Sequence, residues 1–142
     1  MVAYPAMLEP EDDGGYSVSF RDLPEANAFG DDLEQTLQAA VYGLAVALEF
    51  RIRDDESWPP PSAIARGERL IALPVLIEAK LALMRRMHET GTTRIELARL
   101  LCISEAAVRR LLRFDHRSHI GQIEAALERL GSRLELRLRE AA

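Results

Sequence analysis

Over the first thirty positions apolar and polar side chains alternate with a period of two. Tyr16, Val18 and Phe20 alternate with Ser17 and Ser19, and Tyr4, Ala6 and Leu8 alternate likewise around Pro5 and Met7. That period places successive side chains on opposite faces of an extended chain, so both runs predict half-buried strands. Glu11-Asp12-Asp13-Gly14-Gly15 between them is a tight-turn signal that joins the strands into a hairpin. Residues 26–29 offer a short third strand. The period then lengthens to that of a helix: Leu33, Leu37, Val41, Leu44 and Leu48 fall on one face, and Asp31 with Glu34 gives the start signal. This helix is expected to cover one face of the strands.

Trp58-Pro59-Pro60-Pro61-Ser62 reads as a loop, because consecutive prolines remove amide donors and fix φ. Leu70-Ile71-Ala72-Leu73 is short enough to be a fourth strand returning to the sheet, and Pro74 suits the first turn of a following helix. The boundary between two modules, 1–73 and 74–142, is therefore expected near residue 74. Leu76, Lys80 (by its stem), Leu83 and Met87 mark a helix closed by Gly91, and Thr93 with Glu96 makes a capping box for the next, which carries Ile95, Leu97, Ala98 and Leu101. Ser104 caps a third helix with Val108, Leu111 and Leu112. A fourth runs from Ser118 to Leu130 and stops at Gly131. Leu134, Leu136 and Leu138 then alternate with Arg133, Glu135, Arg137 and Arg139, which predicts a closing strand. The fold class is α+β: a three- to four-stranded sheet with one helix, then a helical module ending in a short strand.

Charge divides the chain at nearly the same place. The overall net charge is −5. Residues 1–62 hold three basic side chains against thirteen acidic ones, a net −10, while residues 63–142 hold fifteen against ten, a net +5. Such asymmetry points to two modules with differently charged partners. Lys80 is the one lysine among the eighteen basic residues. That bias favours forked contacts to carboxylate or phosphate, although GC-rich coding would produce it too. The single cysteine, Cys102, rules out an intramolecular disulfide and fits a reducing compartment. Met1-Val2-Ala3-Tyr4-Pro5 has no basic leader region and no stretch reaches membrane-spanning length, so the cytoplasm is the expected location.

The strongest chemical signal lies between Arg94 and Arg113. Two short helices crossing steeply need a small residue where their backbones meet, here Ala98. They also need apolar residues beneath the turn, here Leu97, Leu101, Ile103, Val108 and Leu111. This is a helix-turn-helix pattern, and the competing reading is a helical bundle with a solvated arginine face. Residues 85–117 carry eight arginines against four acids. Ser104, Glu105, Ala106, Arg109 and Arg110 would face the DNA groove, with Arg94, Arg113, His116 and Arg117 on phosphates. Cys102 stands where such turns favour glycine, so it either accepts a left-handed backbone at a cost of about 1 kcal/mol or alters the turn. His116 and His119 have no third donor at zinc-like spacing, so no metal is expected.

No cofactor or catalysis is expected. Glu11, Asp12 and Asp13 sit in a turn, whereas a two-metal nuclease needs carboxylates converging from separate elements. No histidine precedes His88 to act as a base in the acidic half. The acidic half is thus a solvated surface or an attractor for a basic partner, with Glu9, Asp12, Asp13, Asp22 and Glu25 as candidate contacts.

Tyr4-Pro5-Ala6, the Gly15–Phe20 strand, Asp22-Leu23-Pro24, Ala28-Phe29-Gly30-Asp31 and Pro59-Pro60-Pro61-Ser62 together resemble the HicB-type antitoxins of bacterial toxin–antitoxin pairs. The resemblance continues through Lys80-Leu81-Ala82-Leu83, Glu96-Leu97-Ala98-Arg99 and His116-Arg117-Ser118. It implies an N-terminal domain that is a reduced, inert ribonuclease H-like fold. It also implies a small basic HicA-type partner that cleaves mRNA, and a C-terminal domain that binds the operator of its own operon. Other members carry a ribbon-helix-helix there, and this chain resembles the helix-turn-helix version. The alternative is a stand-alone repressor whose N-terminal domain senses a ligand. In either case a homodimer is expected, because one helix-turn-helix reads few base pairs and the closing strand lacks a neighbour.

Overall fold

A computed structural model describes residues 1–140; Ala141 and Ala142, the last of the module expected over 74–142, lie outside the described residues. Strands β1 (Ala3–Pro10) and β2 (Tyr16–Ser19) form the hairpin, with Leu8 opposite Val18 and Pro10 opposite Tyr16. Glu11 N–H donates to the Gly15 carbonyl at 2.7 Å and the Asp13 carboxylate accepts from Gly15 N–H at 3.0 Å, which closes the turn. β3 (Ala28–Gly30) and β4 (Glu68–Ala72) complete an antiparallel sheet of order β3-β2-β1-β4. The third strand starts later than its pattern suggested because Pro24–Ala26 coil into a 3-10 turn.

α1 (Leu33–Arg53) crosses one face of this sheet. Its cap is Asp32, whose carboxylate accepts from Gln35 N–H at 2.8 Å, and not Asp31 as expected. The buried stripe is also displaced. Thr36, Ala40, Leu44, Ala45, Ala47, Leu48 and Ile52 face the sheet, while Leu33 is exposed and Leu37 and Val41 are half-buried. Small residues win this face because the helix lies close to the 3-10 turn. A Cβ on Gly43 would stand 2.8 Å from the Ala26 carbonyl oxygen, so only glycine fits there. Tyr4, Ala6, Val18, Phe20, Leu23 and Ile71 complete this first core. The proline loop is tied down at several points. Tyr4 Oη donates to the Pro59 carbonyl at 2.8 Å, Trp58 Nε1 donates to the Leu48 carbonyl at 3.1 Å, and Arg85 stacks on the Trp58 ring at 4.1 Å.

α2 (Val75–Thr90) is shared between two cores. Leu81 joins the sheet core, with Ile77 and Met84 packed against it, whereas Ala79, Leu83 and Met87 join a second core built with Leu97, Ala98, Val108, Leu111, Leu112, Ile123 and Leu127. The second core is enclosed by α3 (Arg94–Leu101), α4 (Glu105–Leu112) and α5 (Ile120–Arg129). Ile95, Ile103 and Ile120, which the spacing assigned to the interior, are exposed. These helices are only two to three turns long, so their buried stripes are narrow. Phe114, just beyond α4, packs against the sheet core and meets Tyr42 of α1 edge-to-face at 6.2 Å.

Two expectations fail at the C-terminal end. The last helix starts at Ile120 with His119 at its cap position, because the Ser118 hydroxyl is turned inward and takes up a different bond. Residues 133–139 form no strand: among the described residues no other strand lies beside them, and an isolated segment has nowhere to direct its ladder bonds. Leu134 packs against the second core, while Leu136 is 85% and Leu138 100% exposed.

Candidate functional site

Three of the four helices from α2 to α5 end in the same way, α4 being the exception. Gly91, Cys102 and Gly131 all take left-handed backbone, and in each case the next amide donates to the carbonyl five residues back. The Cys102 turn thus keeps the geometry a glycine would give, at φ 54°, and the Ile103 amide reaches the Ala98 carbonyl at 3.0 Å. The Cys102 side chain is exposed and gains little from packing. Thr93 and Glu96 form the reciprocal capping box of α3, and Ser104 Oγ accepts from Ala107 N–H at 3.0 Å to cap α4. Both helices are therefore fixed by local bonds as well as by the core.

α4 buries Val108, Leu111 and Leu112. At 100° per residue, Ala106, Arg109, Arg110 and Arg113 fall on the opposite side. Arg109 and Arg110 are exposed, and no ion pair engages either guanidinium among the described residues. Glu105 lies on the flank. Arg94 opens α3 and is also exposed. Arg113 is held by Asp115 through a forked pair, Nε–Oδ1 at 3.0 Å and Nη2–Oδ2 at 2.8 Å. That bond keeps the Asp115 carboxyl below and the Arg113 guanidinium above their ordinary values. His116 and Arg117 follow, exposed, with His116 Nδ1 3.0 Å from Ser118 Oγ.

Beneath this segment lies a residue whose role the spacing only half revealed. Lys80 is buried to its ammonium, not merely along its stem. Nζ donates to the Arg113 carbonyl, to the His116 carbonyl at 2.8 Å and to Ser118 Oγ at 2.9 Å. Three donors meet three acceptors, which is how a buried ammonium is made tolerable. Burial pushes its pKa down, and the nearby Asp115 opposes that shift. The bonds hold residues 113–118 against α2. Lysine at a core position with a serine and a histidine far along the chain carries no local sequence signal.

The acidic candidates separate into two groups at opposite ends of β2. Glu9, Asp12 and Asp13 stand at the β1–β2 turn, exposed, beside Glu11 and Asp31, which the sequence reading did not select. Glu11, Asp13, Tyr16, Phe29, Asp31 and Gln35 line an open depression there, and the Phe29 ring is 72% exposed at the β3 edge. Asp22 and Glu25 lie at the other end and are already engaged. The Asp22 carboxylate accepts from Ser62 Oγ at 2.6 Å and Ser62 N–H at 2.9 Å, bonds that hold its pKa down. Glu25 pairs with Arg51 at 2.8 Å. Among the described residues no group of three or more His, Cys, Asp or Glu side chains is placed to hold a metal ion, and no helix is long and apolar enough to cross a membrane.

Comparison with known proteins gives this arrangement its class. A family model described as the HicB-like antitoxin of bacterial toxin–antitoxin system matches residues 3–82. Antitoxin HicB 2 of Photorhabdus laumondii is 38% identical over 133 residues, covering 94% of each chain. Antitoxin HicB of Escherichia coli K12 is 32% identical over 133 residues, covering 94% of this chain and 96% of its own. Antitoxin HicB of Pseudomonas fluorescens is 34% identical over 132 residues, covering 92% and 90%. The arrangement is that of an antitoxin of a bacterial toxin–antitoxin system. The chain belongs to the HicB-like antitoxin family.

Proposed function

We propose that this antitoxin neutralises a small basic HicA-type toxin that cleaves mRNA, and that it represses its own operon by binding operator DNA as a homodimer in the cytoplasm. The observation that carries the reading is the division of charge along the chain, −10 over residues 1–62 and +5 over residues 63–142. Residues 1–73, read as a reduced ribonuclease H-like domain, present at the β1–β2 turn carboxylates that no ion pair engages among the described residues. Residues 74–142, read as a helix-turn-helix domain, present Arg109 and Arg110 on the outer face of α4. The acidic end attracts a basic, RNA-binding surface and competes with its substrate. Glu9, Asp12 and Asp13 are the contacts proposed there, while Asp22 and Glu25 serve the fold. On the other module Ser104, Glu105, Ala106, Arg109 and Arg110 face the major groove, and Arg94, Arg113, His116 and Arg117 hold phosphates.

The test is twofold. Co-expressed full-length chain should be retained by the tagged product of the adjacent reading frame, and should shift DNA from upstream of its own reading frame. Failure of the first removes the antitoxin arm; failure of the second removes the repressor arm.

A further inference from the structure

Ser118 is buried although it lies between the exposed Arg117 and His119, and its hydroxyl has three polar groups around it. Lys80 Nζ stands at 2.9 Å, His116 Nδ1 at 3.0 Å and the Arg110 carbonyl at 3.4 Å. Counting hydrogens decides which way each bond runs. An ammonium carries only donors, so Ser118 Oγ accepts from Lys80, and its single hydrogen is left for one of the other two. The Arg110 carbonyl lies beyond the roughly 2.5–3.0 Å of an O–H···O bond and already accepts from Arg113 N–H at 3.2 Å. The hydroxyl therefore donates to His116 Nδ1. A ring nitrogen that accepts carries no hydrogen, so the neutral imidazole holds its hydrogen on Nε2, at the far edge of the ring. His116 is exposed, and no partner for Nε2 is found among the described residues. The one carboxylate of residues 113–118, Asp115, is taken up by its forked pair with Arg113.

We infer that Lys80, Ser118 and His116 form a relay from the interior to the surface that sets the imidazole tautomer and turns an Nε2–H donor outward, to a phosphate oxygen of the operator backbone beside Arg117. Ser118 is a positioning residue in this arrangement, since it touches no DNA and acts through His116. Lys80 makes the hydroxyl an obligate acceptor, and thereby directs its hydrogen to the ring. The inference rests on the DNA-binding role proposed for the second module, and adds to it the atom that makes the contact and the charge with which it does so. A neutral donor displaces no condensed counterion. It strengthens binding without adding to the salt dependence, unlike the arginines at 113 and 117 that flank it.

Nitrogen-15 correlation spectra of the full chain report the tautomer directly, recorded without DNA at about pH 8.5, where a free imidazole is neutral. Wild type should show one form, with His116 Nδ1 accepting and Nε2 protonated. Ser118→Ala removes the hydroxyl and should leave the ring in a mixture of both tautomers, and Ser118→Thr, which keeps a hydroxyl, should restore the single form. Nδ1 protonated in wild type, or a ring indifferent to Ser118→Ala, overturns the relay. The wild-type spectrum decides even where the alanine variant folds poorly. Titrations on promoter DNA at the same pH test the phosphate contact. His116→Ala should weaken binding by about three- to tenfold, the size of one lost hydrogen bond, with the salt slope unchanged, whereas Arg117→Ala should reduce that slope by about one. Undiminished affinity in His116→Ala, or a slope that falls as it does in Arg117→Ala, overturns the neutral donor. A wild type that binds no promoter DNA removes the repressor reading, and the spectra decide the tautomer regardless.

Discussion

The Lys80 ammonium donates to the Ser118 hydroxyl at 2.9 Å across 38 residues of sequence, in a site closed to solvent. With its bonds to the Arg113 and His116 carbonyls, it fastens the segment after α4 to the helix that both cores share. Arg113, His116 and Arg117 therefore project from a fixed backbone.

Lys80→Met keeps the stem and removes the charge, leaving the Arg113 and His116 carbonyls and the buried Ser118 hydroxyl without that donor. The expected cost is about 2–4 kcal/mol of folding stability, from the penalty of leaving such groups unsatisfied. DNA affinity should fall with it, because the residues proposed to hold phosphates lose their support. Denaturant melts and anisotropy titrations on promoter DNA check both; an unchanged midpoint would contradict the clamp.

Cys102→Gly is expected to stabilise the chain by about 0.5–1 kcal/mol. The left-handed backbone at φ 54° strains a residue with a Cβ more than it strains glycine, even after the extra chain entropy of glycine in the unfolded state. The side chain is exposed, so no packing is lost. Thermal melts measure the change, and a fall in Tm would show that the cysteine contributes something beyond its turn.

These two residues illustrate what the sequence disclosed and what it did not. The hairpin, the order of strands and helices as far as Gly131, the capping box and the Ser104 cap were legible because each depends on side chains within a few positions of one another, whereas the closing strand expected over residues 133–139 does not form. The displaced stripe of α1 was not. It is set by how closely Gly43 approaches Ala26, and a periodicity of leucines contains no such distance. The engagement of Asp22 with Ser62 and of Glu25 with Arg51 was likewise hidden, since both pairs meet only after the sheet and loop assemble. At the site, the arginine face of α4 follows from helical spacing, whereas the Lys80 clamp requires the tertiary fold.

Asp22→Ala should destabilise the chain by about 1–2 kcal/mol at neutral pH, by freeing the Ser62 amide and hydroxyl that pin the proline loop. Its bonds lower the Asp22 pKa in the folded state. The contribution is therefore present above the ordinary aspartate pKa and fades as pH falls through that range and then through the lowered folded-state value. Wild type and variant should converge in acid; a gap that stays constant from neutral pH to below the carboxylate range would refute the linkage.

Arg109→Ala and Arg110→Ala should each cost about 1–3 kcal/mol in operator binding and relax the base preference where the lost arginine reads guanine. Arg94→Ala and Arg117→Ala should weaken all sequences alike and reduce the salt slope by about one each. Binding assays across a panel of mutated operators separate the two patterns. Full operator affinity in the Arg109→Ala, Arg110→Ala double variant would rule out the proposed reading face.

The central claim is that the acidic sheet module neutralises a basic ribonuclease. The direct measurement is RNA cleavage by the adjacent-frame toxin, titrated with full-length antitoxin at low and high ionic strength, with wild type compared against Glu9→Gln, Asp12→Asn, Asp13→Asn. Wild type should abolish cleavage near stoichiometric addition, its apparent Kd should rise with salt, and the triple variant should bind more weakly with a shallower salt dependence. Cleavage that continues in excess antitoxin, or inhibition that neither salt nor the three substitutions alter, would contradict the account.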